Sequence, residues 1–396
     1  MRIVAKFGGT SLKDGQRIDN AADSIEKAVN EGHEVAVVAS AMGSTTDELL
    51  EDINFEAEDE DRDEIVSMGE RTSVRMLKAA LEARGIDAEF YEPGKNGWPV
   101  RLDEEGDLDE NYTTEKAEEL AEGLESEVPV ITGFLAEDEE GDVTTLGRGG
   151  SDTTAVMLGN YMDADRTVIV TDVEGVLTGN PEIVESTHNV GEISVDELRD
   201  LSFKGAEVVA PEALPYKTDD MDVNVVHFQN ENLLESGTSI EGEFERIINT
   251  DEKEFACLTI AGREIRLEPG ILAKLSTALE ENGINIEAAS TGMDSVSFFV
   301  EEKQADAANQ ALHDLVLEKE KISSVTVDDE IGVIRVAGGK LPDRPGVVRD
   351  IVDPLAEENI NIHEIVTSAS SVIVFVAYDV RDQALRIVQE NLGVTE

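Results

Sequence analysis

The sequence predicts an α/β fold in which a mainly parallel sheet is covered by helices, followed by two small α+β units. Three observations carry this. Short β-type apolar runs alternate with helical patterns from residue 1 to about 230. The C-terminal third repeats itself at an offset of 76 residues. A chain of 396 residues is too long for one compact core.

The strands are read from runs rich in Val, Ile and Ala: Ile3 to Phe7, Val35 to Ala39, Val128 to Thr132, Thr167 to Thr171 and Val223 to Phe228. The helices are read from apolar spacing over Arg17 to Asn30, Glu64 to Arg84, Thr113 to Glu125 and Asp152 to Tyr161. The acidic stretch Glu56 to Glu64 reads as a solvated loop or a helix start, and residues 230 to 255 as the end of the domain and a connector. Ligands of such sheets bind at the carboxyl ends of the strands.

In the repeat, Pro269-Gly270-Ile271-Leu272 is answered by Pro345-Gly346-Val347-Val348. A helical stretch follows each, and then Gly283-Ile284-Asn285-Ile286 or Asn359-Ile360-Asn361-Ile362. Both copies run on into β-type segments, Ser295 to Val300 and Ser371 to Tyr378. The expected divisions are 1–250, 255–328 and 329–396.

Aromatic residues are only 4% of the chain against 40% apolar, so the cores rest on aliphatic side chains. The formal charge is −56, from 88 acidic and 32 basic residues. That charge argues against nucleic acid and anionic membranes as partners, since both would repel it. The acids run through the whole chain rather than forming a tail, the pattern of a protein working in concentrated salt, where self-repulsion is screened. One cysteine, Cys257, excludes an internal disulfide, and no run of about 18 apolar residues occurs. The chain reads as cytoplasmic.

Five motifs could carry chemistry. Lys6-Phe7-Gly8-Gly9-Thr10-Ser11 follows the first strand. Its glycines admit an anion to the backbone, and its lysine could meet a phosphoryl group. The spacing is not that of a Walker A loop, and a strand-to-helix turn with an incidental lysine has the same pattern. Thr144-Thr145-Leu146-Gly147-Arg148-Gly149-Gly150-Ser151-Asp152 sets one arginine among glycines at a helix start, where Arg148 could grip a carboxylate. A capped flexible turn is the plainer alternative. Thr171-Asp172-Val173-Glu174-Gly175-Val176-Leu177-Thr178 ends a strongly apolar strand and suits a nucleotide. Ser67-Met68-Gly69-Glu70-Arg71 offers a glutamate to a lysine or an ammonium, or is a surface ion pair. Ser40 to Asp47 supplies small residues and hydroxyls after the second strand, or simply caps a helix.

Together these segments resemble the aspartate kinase family, within the wider amino-acid kinase fold, a three-layer domain. The repeat is similar to that family's two ACT-type, ferredoxin-like regulatory units. The resemblance implies transfer of the ATP γ-phosphate to the β-carboxylate of L-aspartate, with Mg²⁺ bridging phosphate oxygens, as the first step towards lysine, threonine and methionine. It implies catalytic roles for Lys6, Glu70, Arg148 and Asp152, with Glu70 positioning Lys6. It implies aspartate contacts from Thr46, Glu70, Phe134, Arg148, Gly149, Gly150 and Ser151. ATP would lie against Lys6, Phe7, Gly8, Gly9, Ser40, Thr171, Asp172, Leu177 and Thr178. Asn285, Ile286, Asn361 and Ile362 would belong to an effector site for lysine or threonine, and pairing of regulatory units would give a homodimer or larger assembly.

Two positions depart from the family pattern. Asn180-Pro181-Glu182 and Gly205-Ala206-Glu207 carry acids where the family has basic residues near the ATP phosphates, with Lys204 close by in sequence. Two other readings compete. One is an amino-acid kinase acting on glutamate, acetylglutamate or a nucleoside monophosphate. The other is an amino-acid-binding regulator with a decayed kinase domain.

Overall fold

The computed structural model describes residues 1–181, 183–202, 208–230, 232–235, 237–244, 247–263, 265, 269–318, 322–338, 346–368 and 371–392. Glu182, Lys204, Glu207 and the repeat landmark Pro345 lie outside the described residues. The chain divides into two compact units, Met1–Phe244 and Glu245–Glu396.

The first unit is built on β1 (Arg2–Phe7), with β2 (Glu34–Ala39) and β7 (Arg166–Thr171) as its parallel neighbours. The sheet runs β3 (Ala88–Tyr91), β4 (Val128–Thr132), β2, β1, β7, β9 (Asp222–His227), β10 (Thr238–Glu241), β8 (Glu192–Ser194). Only β9 and β10 pair antiparallel within it. A short hairpin, β5 (Leu135–Glu137) and β6 (Val143–Thr145), stands apart.

Alternation along β1 separates the two cores. Ile3, Ala5 and Phe7 pack with Ile18, Ile25 and Leu77, from α1 (Gly15–Asn30) and α3 (Asp59–Glu82). Val4 faces the other layer with Ala155 and Leu158 of α5 (Gly150–Tyr161). Two residues along a strand return to the same face, so Lys6 shares the α5 side with Val4. Helix α1 starts where Asp14 accepts from the Arg17 backbone N–H at 3.0 Å, and α4 (Glu110–Gly123) where Asp109 accepts from Tyr112 at 3.1 Å.

Every predicted strand and helix of this unit is present within a few residues. The acidic stretch proves to contain the α3 start, which the acids Asp59, Glu60 and Asp61 favour through the helix dipole. The expected connector from 230 to 255 instead holds two strands, β10 and β11 (Ile247–Thr250).

In the second unit, β12 (Phe255–Ala261), β13 (Ala288–Thr291), β14 (Ser295–Glu301) and the first half of β15 (Ser324–Ala337) form one four-stranded set, covered by α7 (Ile271–Glu281) and α8 (Ala305–Glu318). The second half of β15, with β16 (Ile362–Thr367), β17 (Ser371–Ala377) and β11, forms the other, covered by α9 (Val347–Glu357) and α10 (Arg381–Leu392). β15 runs unbroken through 328/329 and serves both sets. β11 belongs to the second unit because its Ile247 to Thr250 pair with Ala337 to Ile334. The phenyl rings of Phe299 and Phe375 stack between the two sets with centroids 3.6 Å apart. They are repeat equivalents, 76 residues apart.

Candidate active site

The carboxyl ends of β1, β2, β4 and β7 lie along one edge of the sheet, since Phe7 is in register with Ala39 and Val170, and Ala39 with Thr132. Each following residue is tied to the neighbouring strand. Gly8 N donates to Val170 O at 3.1 Å, Ser40 N to Phe7 O at 3.1 Å and Gly133 N to Ala39 O at 2.9 Å. Sequence-distant motifs thus meet because parallel pairing aligns their strand ends.

A cleft of about 770 Å³ opens at this edge. Of the expected residues, Lys6, Ser40, Thr46, Glu70, Phe134, Arg148, Gly149, Gly150, Ser151 and Asp152 line it. Lys6 Nζ is 2.6 Å from Asp152 Oδ1, with both side chains largely buried. The other Asp152 oxygen accepts from Ala210 N at 3.0 Å. Asp152 stands in the first turn of α5, where the helix dipole favours its negative charge.

The turn before α5 admits little else. Gly149 has φ 74°, and a Cβ there would lie 2.3 Å from the Ala210 Cβ. Phe134 also adopts positive φ, 70°, and its N–H donates to Thr154 Oγ1 at 3.3 Å. Leu146 N donates to Phe134 O at 2.8 Å, which holds the arginine-bearing loop beside Phe134. Arg148 is exposed at the cleft wall and makes no ion pair among the described residues.

Glu70 is not the partner of Lys6. It is 3% exposed, and its Oε1 accepts from Ala41 N and from the Thr46 hydroxyl, each at 3.3 Å. Its Oε2 is buried without a hydrogen bond. Burial pushes the Glu70 carboxyl up to about 7, against the hydrogen bonds that favour its charge. The carboxylate that meets Lys6 comes from α5, because Lys6 faces that layer.

Other expected residues sit outside the cleft wall. Phe7 is 2% exposed in the core. Gly8 and Gly9 follow β1, and Gly43 N donates to Gly9 O at 3.0 Å. Thr171 ends β7 with its hydroxyl 3.3 Å from Asp172 Oδ1. Leu177 bridges to Asn189, and Thr178 exchanges hydrogen bonds with His188 at 2.9 and 3.1 Å. In the second unit Asn285 and Asn361 are exposed, while Ile286 and Ile362 are half-buried against separate cores. β13 and β16, which follow these turns, approach each other.

The structure adds Asp47, Arg62, Asp63 and Thr145 to the cleft. Burial pushes the Asp63 carboxyl up, against hydrogen bonds from Thr144 and Thr145. The available signal was Arg62, a lone cation in an acidic run. No group of three or more His, Cys, Asp or Glu able to hold a metal occurs among the described residues. No helix among them is long and apolar enough to cross a membrane.

The first unit corresponds to the Amino acid kinase family, matched over residues 1–227, and the second to the ACT domain, matched over 251–314 and 326–390. The chain is 31% identical to an aspartokinase of Corynebacterium glutamicum, over 98% of this chain and 95% of that one. It is 32% identical to aspartokinase 2 of Bacillus subtilis, over 92% and 91%. The solved aspartate kinase from Synechocystis superposes with a TM-score of 0.81 at 26% identity, covering 99% of this chain and 70% of that one. With the amino-acid kinase fold, the Lys6–Asp152 cleft and the ACT units in place, the chain belongs to the aspartokinase family and is a phosphotransferase that phosphorylates aspartate.

Proposed function

We propose that the chain transfers the ATP γ-phosphate to the β-carboxylate of L-aspartate, giving 4-phospho-L-aspartate, at the cleft between β1 and α5. The observation that carries this reading is the buried Lys6–Asp152 pair beside an arginine with no ionic partner among the described residues. Aspartate's α-carboxylate takes Arg148 as a bidentate partner, with Thr46, Phe134, Gly149, Gly150 and Ser151 around it. A carboxylate oxygen then attacks the γ-phosphorus as the bond to the ADP oxygen breaks, and ADP leaves. Lys6 holds charge on the transferring group, and Asp152 fixes the lysine's direction.

The nucleotide lies along Gly8, Gly9, Ser40, Thr171, Asp172, Leu177 and Thr178. Gly9 fits such a strand-end loop: a Cβ there would come within 2.7 Å of Gly43 O. Mg²⁺ would come with the nucleotide, since no cluster of metal ligands occurs among the described residues, and would supply charge neutralisation at the phosphates. Glu182 and Glu207 add negative charge in sequence where the family pattern has cations, so we propose that concentrated salt supports nucleotide binding, consistent with the −56 charge.

The two ACT units support the reading of a feedback-regulated enzyme. Lysine or threonine is the proposed effector at the turns carrying Asn285, Ile286, Asn361 and Ile362, in a homodimer or larger assembly.

The test is a hydroxylamine trap for the acyl phosphate with purified protein, ATP, Mg²⁺ and aspartate in molar KCl. Lys6→Ala abolishes the signal, and Arg148→Ala raises the KM for aspartate far more than that for ATP. Absence of hydroxamate from the wild-type chain refutes the reading. An ATP KM indifferent to KCl and Mg²⁺ refutes the salt proposal, and a rate unmoved by lysine and threonine refutes the regulatory one.

A further inference from the structure

Three cations line the cleft: Lys6, Arg62 and Arg148. Lys6 is matched by Asp152 at 2.6 Å. The two guanidiniums are exposed and make no ion pair among the described residues. In a chain with 88 acids against 32 bases, an arginine without an ionic partner is unexpected. The other arginines of α3 are paired: Arg71 meets Glu64 at 3.2 Å, and Arg75 meets Glu92 at 2.6 Å.

The place of Arg62 on α3 does not favour it locally. Glu58 and Asp59 stand four and three residues before it, the spacing at which a helix offers an ion pair, yet it takes neither. It is the fourth residue of α3, near the end where the helix dipole disfavours a cation. Its side chain is turned to the cleft instead.

Arg62, Val66 and Glu70, four residues apart, form one stripe of α3 that lines the cleft over about 12 Å. Glu70 marks the inner end, since it bonds Ala41 and Thr46, so Arg62 stands at the mouth. Asp63, beside it, takes hydrogen bonds from Thr144 and Thr145, and Thr145 precedes Arg148 by three residues. Both free guanidiniums therefore belong to one rim. The nucleotide loop from Thr171 to Thr178 lies outside this wall. Two like charges at one rim repel unless an anion lies between them, and a planar fork on each fits the two oxygens of a carboxylate.

We propose, on the reading of this cleft as the aspartate site, that Arg62 is a second specificity residue, closing with Arg148 on the substrate's α-carboxylate. The two charge-assisted contacts select a free α-carboxylate over its amide.

Calorimetry of aspartate binding to the full chain in molar KCl is the test, because long-range steering is screened there while direct contacts persist. Arg62→Gln is expected to raise the aspartate Kd about tenfold with an unchanged circular dichroism spectrum. Arg62→Lys, which keeps the charge without the fork, falls between. The wild-type chain prefers aspartate to its α-amide, and Arg62→Gln gives up about tenfold of that preference. In the hydroxamate assay the aspartate KM of Arg62→Gln rises while its kcat stays within about twofold and its ATP KM is unmoved. An aspartate Kd that Arg62→Gln leaves unchanged overturns the proposal. So does equal weakening of aspartate and the amide, or a rise confined to the ATP KM, which would put Arg62 on the phosphates. Arg62-dependent aspartate binding in a wild-type chain that forms no hydroxamate would uphold the carboxylate site and overturn only the phosphoryl transfer.

Discussion

Lys6 and Asp152, 146 positions apart in the chain, meet as a 2.6 Å ion pair at the floor of the cleft. The pair exists because alternation along β1 turns Lys6 to the layer where α5 begins. Removing either member leaves the other largely buried and unpaired, the costly way to break such a pair. Asp152→Asn is expected to cut kcat at least tenfold with little change in the aspartate KM. Lys6→Ala should lose the reaction altogether. Steady-state kinetics of the two variants check both, and an Asp152→Asn enzyme with wild-type kcat contradicts the positioning role.

Glu70 should make stability depend on pH with a definite sign. Its folded pKa of about 7 lies above the ordinary 4.5, so between these values the folded state holds a proton that the unfolded chain has released. Stability from this group is therefore present in full below about 4.5 and is lost as pH rises towards about 7. Glu70→Gln removes that slope, and above neutral pH it should be the more stable chain by an amount on the order of 3 kcal/mol at most. Urea midpoints of both chains across that range measure the difference. Equal slopes would refute the assignment.

Gly149 tolerates no side chain. A Cβ would meet the Ala210 Cβ at 2.3 Å while the backbone holds φ 74°. Gly149→Ala is expected to destabilise the first unit by about 1–3 kcal/mol. It should also lower kcat/KM more than tenfold, because Arg148 and Asp152 hang on that turn. Thermal melting and kinetics read the two effects separately.

Phe299 and Phe375 are both fully buried. Phe299→Ala or Phe375→Ala should each cost the second unit roughly 3–5 kcal/mol. The double variant should cost less than the sum, since the stack is lost with the first substitution. Denaturant titration of the three variants gives the coupling, and strict additivity would show that the rings do not act together.

Much of the first unit was legible in its sequence. Aliphatic runs and helical spacing gave the principal elements, because burial imposes period 2 on strands and 3.6 on helices. The motifs around Lys6, Arg148 and Ser40 could be placed at strand ends or helix starts, where glycine and hydroxyl residues collect. The 76-residue offset exposed the duplication in the second unit. Short strands such as β8, β10 and β11 were not legible, since three or four residues carry too little periodicity.

The sequence by itself determined which residues are available for chemistry and roughly where each element begins. Tertiary structure alone decided which of them meet. It gave Lys6 to Asp152 rather than to Glu70, because a strand's alternation chooses a layer and only packing says which helix fills it. It left Glu70 buried and proton-retaining, which depends on desolvation by distant residues. It also lent β11 to the second strand set of the C-terminal unit, because a strand's hydrogen bonds are satisfied by whichever edge lies beside it, not by the nearest segment in the chain.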